Sequence, residues 1–247
     1  MNPSLIRFAA QADLVLLTAD MLRPPLPATT AAKWWSEPVA NWEECLRASG
    51  LPDTTNSDNV SLRSMLREVF TTAEQTSVDE WSDEYWRLFD GPTLCPINQA
   101  SYDRRDKGTI LGDLAGFYQA FGWNPTPSSG ERPDHLRFQL EFLAVLLAMA
   151  SQTEDSERSE IVSDGLRQFA RIHMQDWVPS FSWQLCEVSR VPLFGAIGTW
   201  IVMLWDGLSQ LHQWSPELST GKFIKPERDG ENPYECAAHG LLQLGTH

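Results

Sequence analysis

Three stretches of this 247-residue chain hold side chains whose types and spacing could do chemistry. The first is Glu131-Arg132-Pro133-Asp134-His135, followed by Gln139 and Glu141. Asp134 and His135 are an acid and a base in type. Neighbours in sequence at a helix start point apart, however, and no serine or cysteine in a nucleophile turn accompanies them. Asp134 reads better as the N-cap or first-turn acid of the helix that follows, where the dipole favours negative charge. The group as a whole suits a hydrogen-bonding rim to a peptide groove. The second stretch, HMQDWVPSF, places His173 on an apolar face, as a core histidine satisfied by a carbonyl. The five histidines, His135, His173, His212, His239 and His247, show no HxxxH, HxxE or ExxH spacing, and the four cysteines form no CxxC pair. Neither a metal site nor a redox dithiol follows from such spacing. Glycine-rich phosphate loops and GxSxG turns are also missing, so the sequence gives catalysis no foothold and implies no cofactor.

The third stretch is the one suited to binding. EYWRLFDGPTLCP, residues 84–96, is followed by Ser101-Tyr102 and by RRDKG at 104–108. A helix bearing Tyr85, Leu88 and Phe89 ends at Asp90-Gly91-Pro92, beside a proline-built loop. Tyr85 and Trp86 point about 100° apart on such a helix, so one of them faces a surface groove. An exposed aromatic contributes roughly 1.5–3 kcal/mol when a ligand covers it. Between Glu74 and Asp90 stand six acids (Glu74, Asp79, Glu80, Asp83, Glu84, Asp90) against Arg87 alone. They read either as a solvated helix face or as an electrostatic lure for a basic segment.

The elements that must position these residues are helical throughout. Apolar residues recur in steps of three and four, predicting helices over 5–22, 42–49, 62–73, 78–89, 110–121, 136–149, 162–173, 181–188 and 194–213. Gly122 closes one of them. Residues 136–149 are apolar almost all round, which suits a central helix, and the acidic stretch 151–159 joins it to the next. Prolines mark the breaks, and no segment reads as a strand. The expected architecture is all-α, one domain of roughly ten helices over 1–247, with an extended tail over 221–247.

Composition narrows the partners. With 19 basic against 33 acidic residues the net charge is −14, so phosphate backbones and anionic lipid would repel the chain. No nucleic acid is therefore expected as a partner. The longest apolar run, Val191–Trp205, falls short of the roughly 20 residues that span a bilayer, so no stable membrane insertion is expected either. The first residues do not make a secretory signal, which predicts a cytoplasmic protein with reduced thiols.

In order and spacing, EYWRLFDGP (84–92), CPINQASY (95–102), GDLAGFYQAFGW (112–123), ERPDHLRFQLEFL (131–143) and HMQDWVPSF (173–181) resemble the TorD family of assembly chaperones for molybdenum enzymes, with its DmsD and NarJ relatives. The resemblance implies an all-helical, non-enzymatic chaperone. Its partner would be the precursor of a DMSO reductase-type catalytic subunit, bound through its twin-arginine signal peptide, its body or both until cofactor insertion is complete. The family's binding positions carry over onto Tyr85, Leu88, Phe89, Pro96, Pro133, Asp134 and His135. Trp86 and Tyr102 stand in the same motifs and complete the candidate peptide-binding set. Two positions depart from the pattern: Gln99 stands where an acid is usual, and Asn98 where an aromatic is. The rival readings are a helical carrier or enzyme binding molybdenum cofactor or a nucleotide, and a structural scaffold subunit. Either a monomer or a helix-exchanged homodimer is compatible with the sequence.

Overall fold

Short polar residues set the helix starts. Ser61 accepts the Ser64 amide at 3.0 Å, and Ser77 and Glu80 cap one another reciprocally. The Asp106 carboxylate accepts the Thr109 amide at 3.0 Å. Gly50 and Gly122, at φ 70° and 67°, end the second and fifth helices in the left-handed conformation that glycine adopts without strain. The computed structural model describes residues 3–24, 34–52, 60–90, 94–125, 131–152, 156–214 and 224–226.

Nine α-helices follow in order among these residues. They are α1 (Pro3–Met21), α2 (Val39–Ser49), α3 (Leu62–Gln75), α4 (Val78–Phe89), α5 (Lys107–Ala120), α6 (Leu136–Gln152), α7 (Ser156–Phe169), α8 (Val178–Val188) and α9 (Pro192–His212). The all-α expectation holds, and each periodic segment matches a helix. The only departures from helix and turn that bear on the site are an antiparallel bridge between Asn98 and His135 and a π turn over Ala170–Met174. The spacing of Val162, Leu166, Phe169, Ala170 and His173 reads as one continuous stripe. In the structure it breaks into α7 and the wider turn, where the Gln175 amide reaches back five residues to the Ala170 carbonyl at 2.9 Å. Within the stretch 151–159, expected as a connection, residues 151–152 end α6 and 156–159 begin α7, and 153–155 lie outside the described residues. Of the expected tail, only Ile224–Pro226 lies within the described residues.

Helix α6 sits at the centre, with ten of its 17 residues buried. It packs against α1 and α7, while α9 packs against α8 and α3. Buried apolar residues from all nine helices join one contiguous core. Polar ties fix the packing. Gln11 donates to the Ser49 carbonyl at 2.8 Å and accepts from His212 Nε2 at 2.8 Å, joining α1, α2 and α9. Trp200 Nε1 donates to the Thr18 hydroxyl at 2.9 Å. The His212 ring is stacked between Phe8 and Trp214, with centroids 5.5 and 4.9 Å away. No helix of the described residues is long and apolar enough to cross a membrane.

Helices α8 and α9 cross closely because Gly198 has no side chain. A Cβ there would lie 2.7 Å from Cys186 Sγ and 2.9 Å from the Ser182 carbonyl oxygen. Gly198→Ala should therefore lower unfolding stability by about 1–3 kcal/mol. Gly112→Ala, at an open position on α5, should raise it by about 0.4–1 kcal/mol. Urea unfolding of the two variants beside the parent chain checks both signs.

Candidate functional site

The loop between α4 and α5 is laid against the entrance to α6. The Cys95 amide donates to the Leu88 carbonyl at 3.1 Å, Leu136 to Ile97 at 2.9 Å, and Gln99 to Asp134 at 2.9 Å. At the centre of this junction lies the Asp134 carboxylate, fully buried. Arg132 donates to it from Nε at 2.9 Å and from Nη2 at 2.7 Å, the Ala100 amide at 3.0 Å, and the Asn98 side chain at 3.3 Å. Asp134 thus does not cap α6, contrary to the sequence reading, because its oxygens are turned back onto the loop. His135 does the capping: its Nδ1 accepts the Arg137 amide at 3.1 Å.

That hydrogen bond fixes the His135 tautomer. Nδ1 accepts, so the proton sits on Nε2, which faces Glu131 Oε1 at 3.9 Å. Burial holds the imidazole neutral and its pKa below the ordinary value, although Glu131 pulls the other way. Arg137 pairs with both Glu131 and Glu141, the latter at 2.9 Å, and its guanidinium lies 4.4 Å over the Phe138 ring. Arg23, from the end of α1, reaches Glu141 at 3.6 Å.

Beneath the junction runs a buried amide chain. Gln139 Nε2 donates to Gln99 Oε1 at 2.7 Å, and Gln99 Nε2 donates to Asp103 at 3.0 Å. His173 Nδ1 stands 3.3 Å from the same Gln99 oxygen, which can only accept, so Nδ1 carries the proton. His173 is therefore held through Nδ1 by a side-chain amide rather than by the carbonyl expected, while its buried Nε2 has no hydrogen-bond partner among the described residues. A carboxylate at position 99 would bring a second negative charge beside Asp103; the amide joins donor and acceptor without one. Arg105 pairs with Asp103 at 2.6 Å and donates to the Ile172 carbonyl of the π turn at 3.0 Å.

Helix α4 contributes two kinds of residue. Tyr85 and Leu88 are buried, and the Tyr85 hydroxyl donates to the Leu22 carbonyl at 3.4 Å. Burial and then the Glu131 carboxylate push this phenol's pKa up. Phe89 is half-buried among Tyr85, Phe181 and Phe194. Trp86 is the exposed one of the adjacent aromatics, at 46% of its surface. Glu84 is not a surface acid. It is buried, paired in two places with Arg87 at 2.6 Å, and accepts the Arg190 amide at 2.5 Å. Burial would raise its pKa, but the Arg87 and Arg190 hydrogen bonds outweigh that and hold the carboxyl below the usual range.

Of the nine candidate residues, Pro96, Tyr102, Asp134 and His135 are buried in or beside the junction, and Pro133 is half-buried with its carbonyl accepting from Tyr118 at 2.8 Å. Tyr85 and Leu88 are buried on the α4 side. Phe89 is partly open and Trp86 is the most exposed of the set. Sequence reasoning missed Asn98, Gln99 and Arg132 as the partners that hold the junction. The one local signal was the Arg132-Pro133-Asp134 spacing, which allows a fork-on-carboxylate pair. The acids before and after Trp86, read from the sequence as a solvated face or a lure, include Asp79 and Asp83, which share one exposed stripe of α4 with Trp86 in steps of four and three, while Asp90 is exposed at the helix end in extended backbone. Among the described residues no group of three or more His, Cys, Asp or Glu is placed to hold a metal ion.

The fold and site define an all-helical protein organised about a buried polar junction, with one helix presenting an acidic and aromatic stripe to solvent. It belongs to a known family: the family model described as "Nitrate reductase delta subunit" matches residues 50–182, more than half of the chain, from the end of α2 into α8. This is the NarJ and TorD kinship that the motifs resemble. The "Chlorate reductase assembly chaperone protein" of Ideonella dechloratans is 33% identical over 107 residues, which make up 41% of this chain and 55% of that protein. The chain thus matches little more than half of that relative's length.

His135, His173 and His212 are all held neutral by burial, the last two with pKa values pushed down to about 4. In the unfolded chain each takes up a proton near pH 6.5. Their contribution to stability is complete above that value and drains away as the pH falls towards the folded values. His135→Asn keeps an oxygen able to cap α6 and removes the titrating ring. Urea midpoints measured from pH 7 to pH 4 should fall more steeply for the parent chain than for this variant.

Proposed function

We propose that this protein is a chaperone for the assembly of a molybdenum-containing oxidoreductase. It acts in the cytoplasm and holds the precursor of the catalytic subunit by its twin-arginine signal peptide until the cofactor is in place. The role is non-enzymatic, as family membership implies. The observation that carries the reading is the α4 stripe, in which an exposed tryptophan follows Asp83 by one turn and Asp79 by two, with a further aspartate, Asp90, exposed at the helix end. A guanidinium is drawn by carboxylates and settles on an indole face, and an apolar stretch behind it finds the partly open Phe89 edge. The net charge of −14 adds long-range attraction for a basic segment. Micromolar binding, about −8 kcal/mol, is enough and keeps release possible.

In this reading the junction is the frame that sets α4 in place, and Trp86 with its aspartates is the contact. Trp86→Ala should weaken binding of a twin-arginine signal peptide roughly tenfold or more while leaving the melting temperature nearly unchanged. Asp79→Asn with Asp83→Asn should weaken it less and flatten its dependence on salt. Phe89→Ala should lower both binding and melting temperature, since that ring is shared with the core. Calorimetric titration at two salt concentrations beside thermal unfolding reads all three. A Trp86→Ala chain that binds like the parent would remove the contact from α4.

A further inference from the structure

The segment Ile224–Pro226 returns to the helical body after the chain has left α9. It is neither helix nor strand. Its main chain is held by side chains of the body: the Ile224 amide donates to the Ser180 hydroxyl at 3.0 Å, and the Lys225 carbonyl accepts from Arg104 Nη2 at 3.1 Å. The Ile224 side chain is partly buried against the edge of the core. A donor on one side, an acceptor on the next residue and an apolar seat between them make up the contact set by which a protein holds an extended peptide. None of these contacts requires that the peptide belong to this chain.

The seat adjoins the candidate site. Ser180 is fully buried in the first turn of α8. The next residue, Phe181, stacks on Phe89 with centroids 6.3 Å apart, and its carbonyl faces the Cys95 thiol at 3.8 Å. Arg104 lies two residues beyond Tyr102, whose ring packs on Trp177 at 5.6 Å. The same loop that is bonded to the α6 entrance is therefore bonded, at its far end, to the returning segment.

We infer that Ile224–Pro226 is a built-in occupant of a seat for an extended peptide, and that the apolar stretch of the client's signal peptide displaces it. This rests on the chaperone reading and adds regulation to it. The tethered segment competes with every client at a high effective concentration, so a client binds only to the fraction of chains whose seat is open. Such competition keeps the apolar seat covered between clients and lowers affinity enough for release.

The test is made on the full-length chain carrying Ile224→Asp, which places a charge in the apolar seat, with Ile224→Val as the conservative control. Titration with a twin-arginine signal peptide should show binding about three- to tenfold tighter for Ile224→Asp than for the parent, and unchanged for Ile224→Val. In the parent, saturating peptide should speed hydrogen exchange at the Ile224 amide while core amides stay protected. Equal affinity of the parent and Ile224→Asp chains overturns the displacement whatever the exchange shows, and leaves the α4 contact standing. Binding by none of the three chains overturns the signal-peptide reading and this inference with it.

Discussion

Everything near the candidate site depends on one carboxylate kept out of water. An ionised Asp134 in a dry setting costs several kcal/mol unless its oxygens are met. They are met by both nitrogens of one face of Arg132, by the Ala100 amide and by Asn98. Each donor comes from backbone that would otherwise be loop, so satisfying the charge dictates where the loop goes. The loop, held to α6 by this charge and to α4 through the Leu88 carbonyl, fixes how those two helices meet. A polar centre of this kind is a device for specificity of arrangement more than for strength, since hydrophobic packing of equal volume would hold as well.

The division of labour between buried and open residues follows from it. Tyr85, Leu88 and His135 sit in one contiguous region with Asp134, yet they face inward and give the region its shape. Trp86 and the aspartates around it face outward on the same helix. Burial of Glu84 with Arg87 matters here too, because it anchors α4 to the end of α8, where Arg87 also donates to the Val188 carbonyl at 2.7 Å. The C-terminal half of the helix that offers the contact is thereby tied to both α8 and the loop, and side chains on a helix held in this way are presented at little entropic cost.

Most helices were legible because their apolar residues follow the period of 3.6 and their starts carry Ser, Asp or Pro. The exposed member of the Tyr85 and Trp86 pair was legible only as a choice of one from two. What escaped was everything set by contacts far apart in the chain. Asp134 looks like a cap from its neighbours, and only the presence of residues 98–100 across the gap turns it away from that task. Gln99 looks like a missing acid until Gln139, His173 and Asp103 are seen around it. The burial of Glu84 depends on the Arg190 amide, 106 positions later. Local pattern fixes helices, and long-range polar pairing fixes what their residues are for.

The π turn between α7 and α8 carries a consequence of another kind. It fits one more residue into a turn than an α-helix holds, so the helical phase before Ala170 and the phase after Met174 are offset by about 100°. The widened turn leaves the Ile172 carbonyl to Arg105, and the His173 carbonyl accepts from Trp177 Nε1 at 2.6 Å. A chain one residue shorter here would form a smoother helix and swing the Trp177 ring away from Tyr102. At this point the fold is sensitive to the count of residues as well as to their identity. Side-chain exchanges that keep the count leave this turn intact, whereas deleting one residue here rotates the stretch that leads into α8, Trp177 with it, and the effect ends where the backbone extends at Ser189.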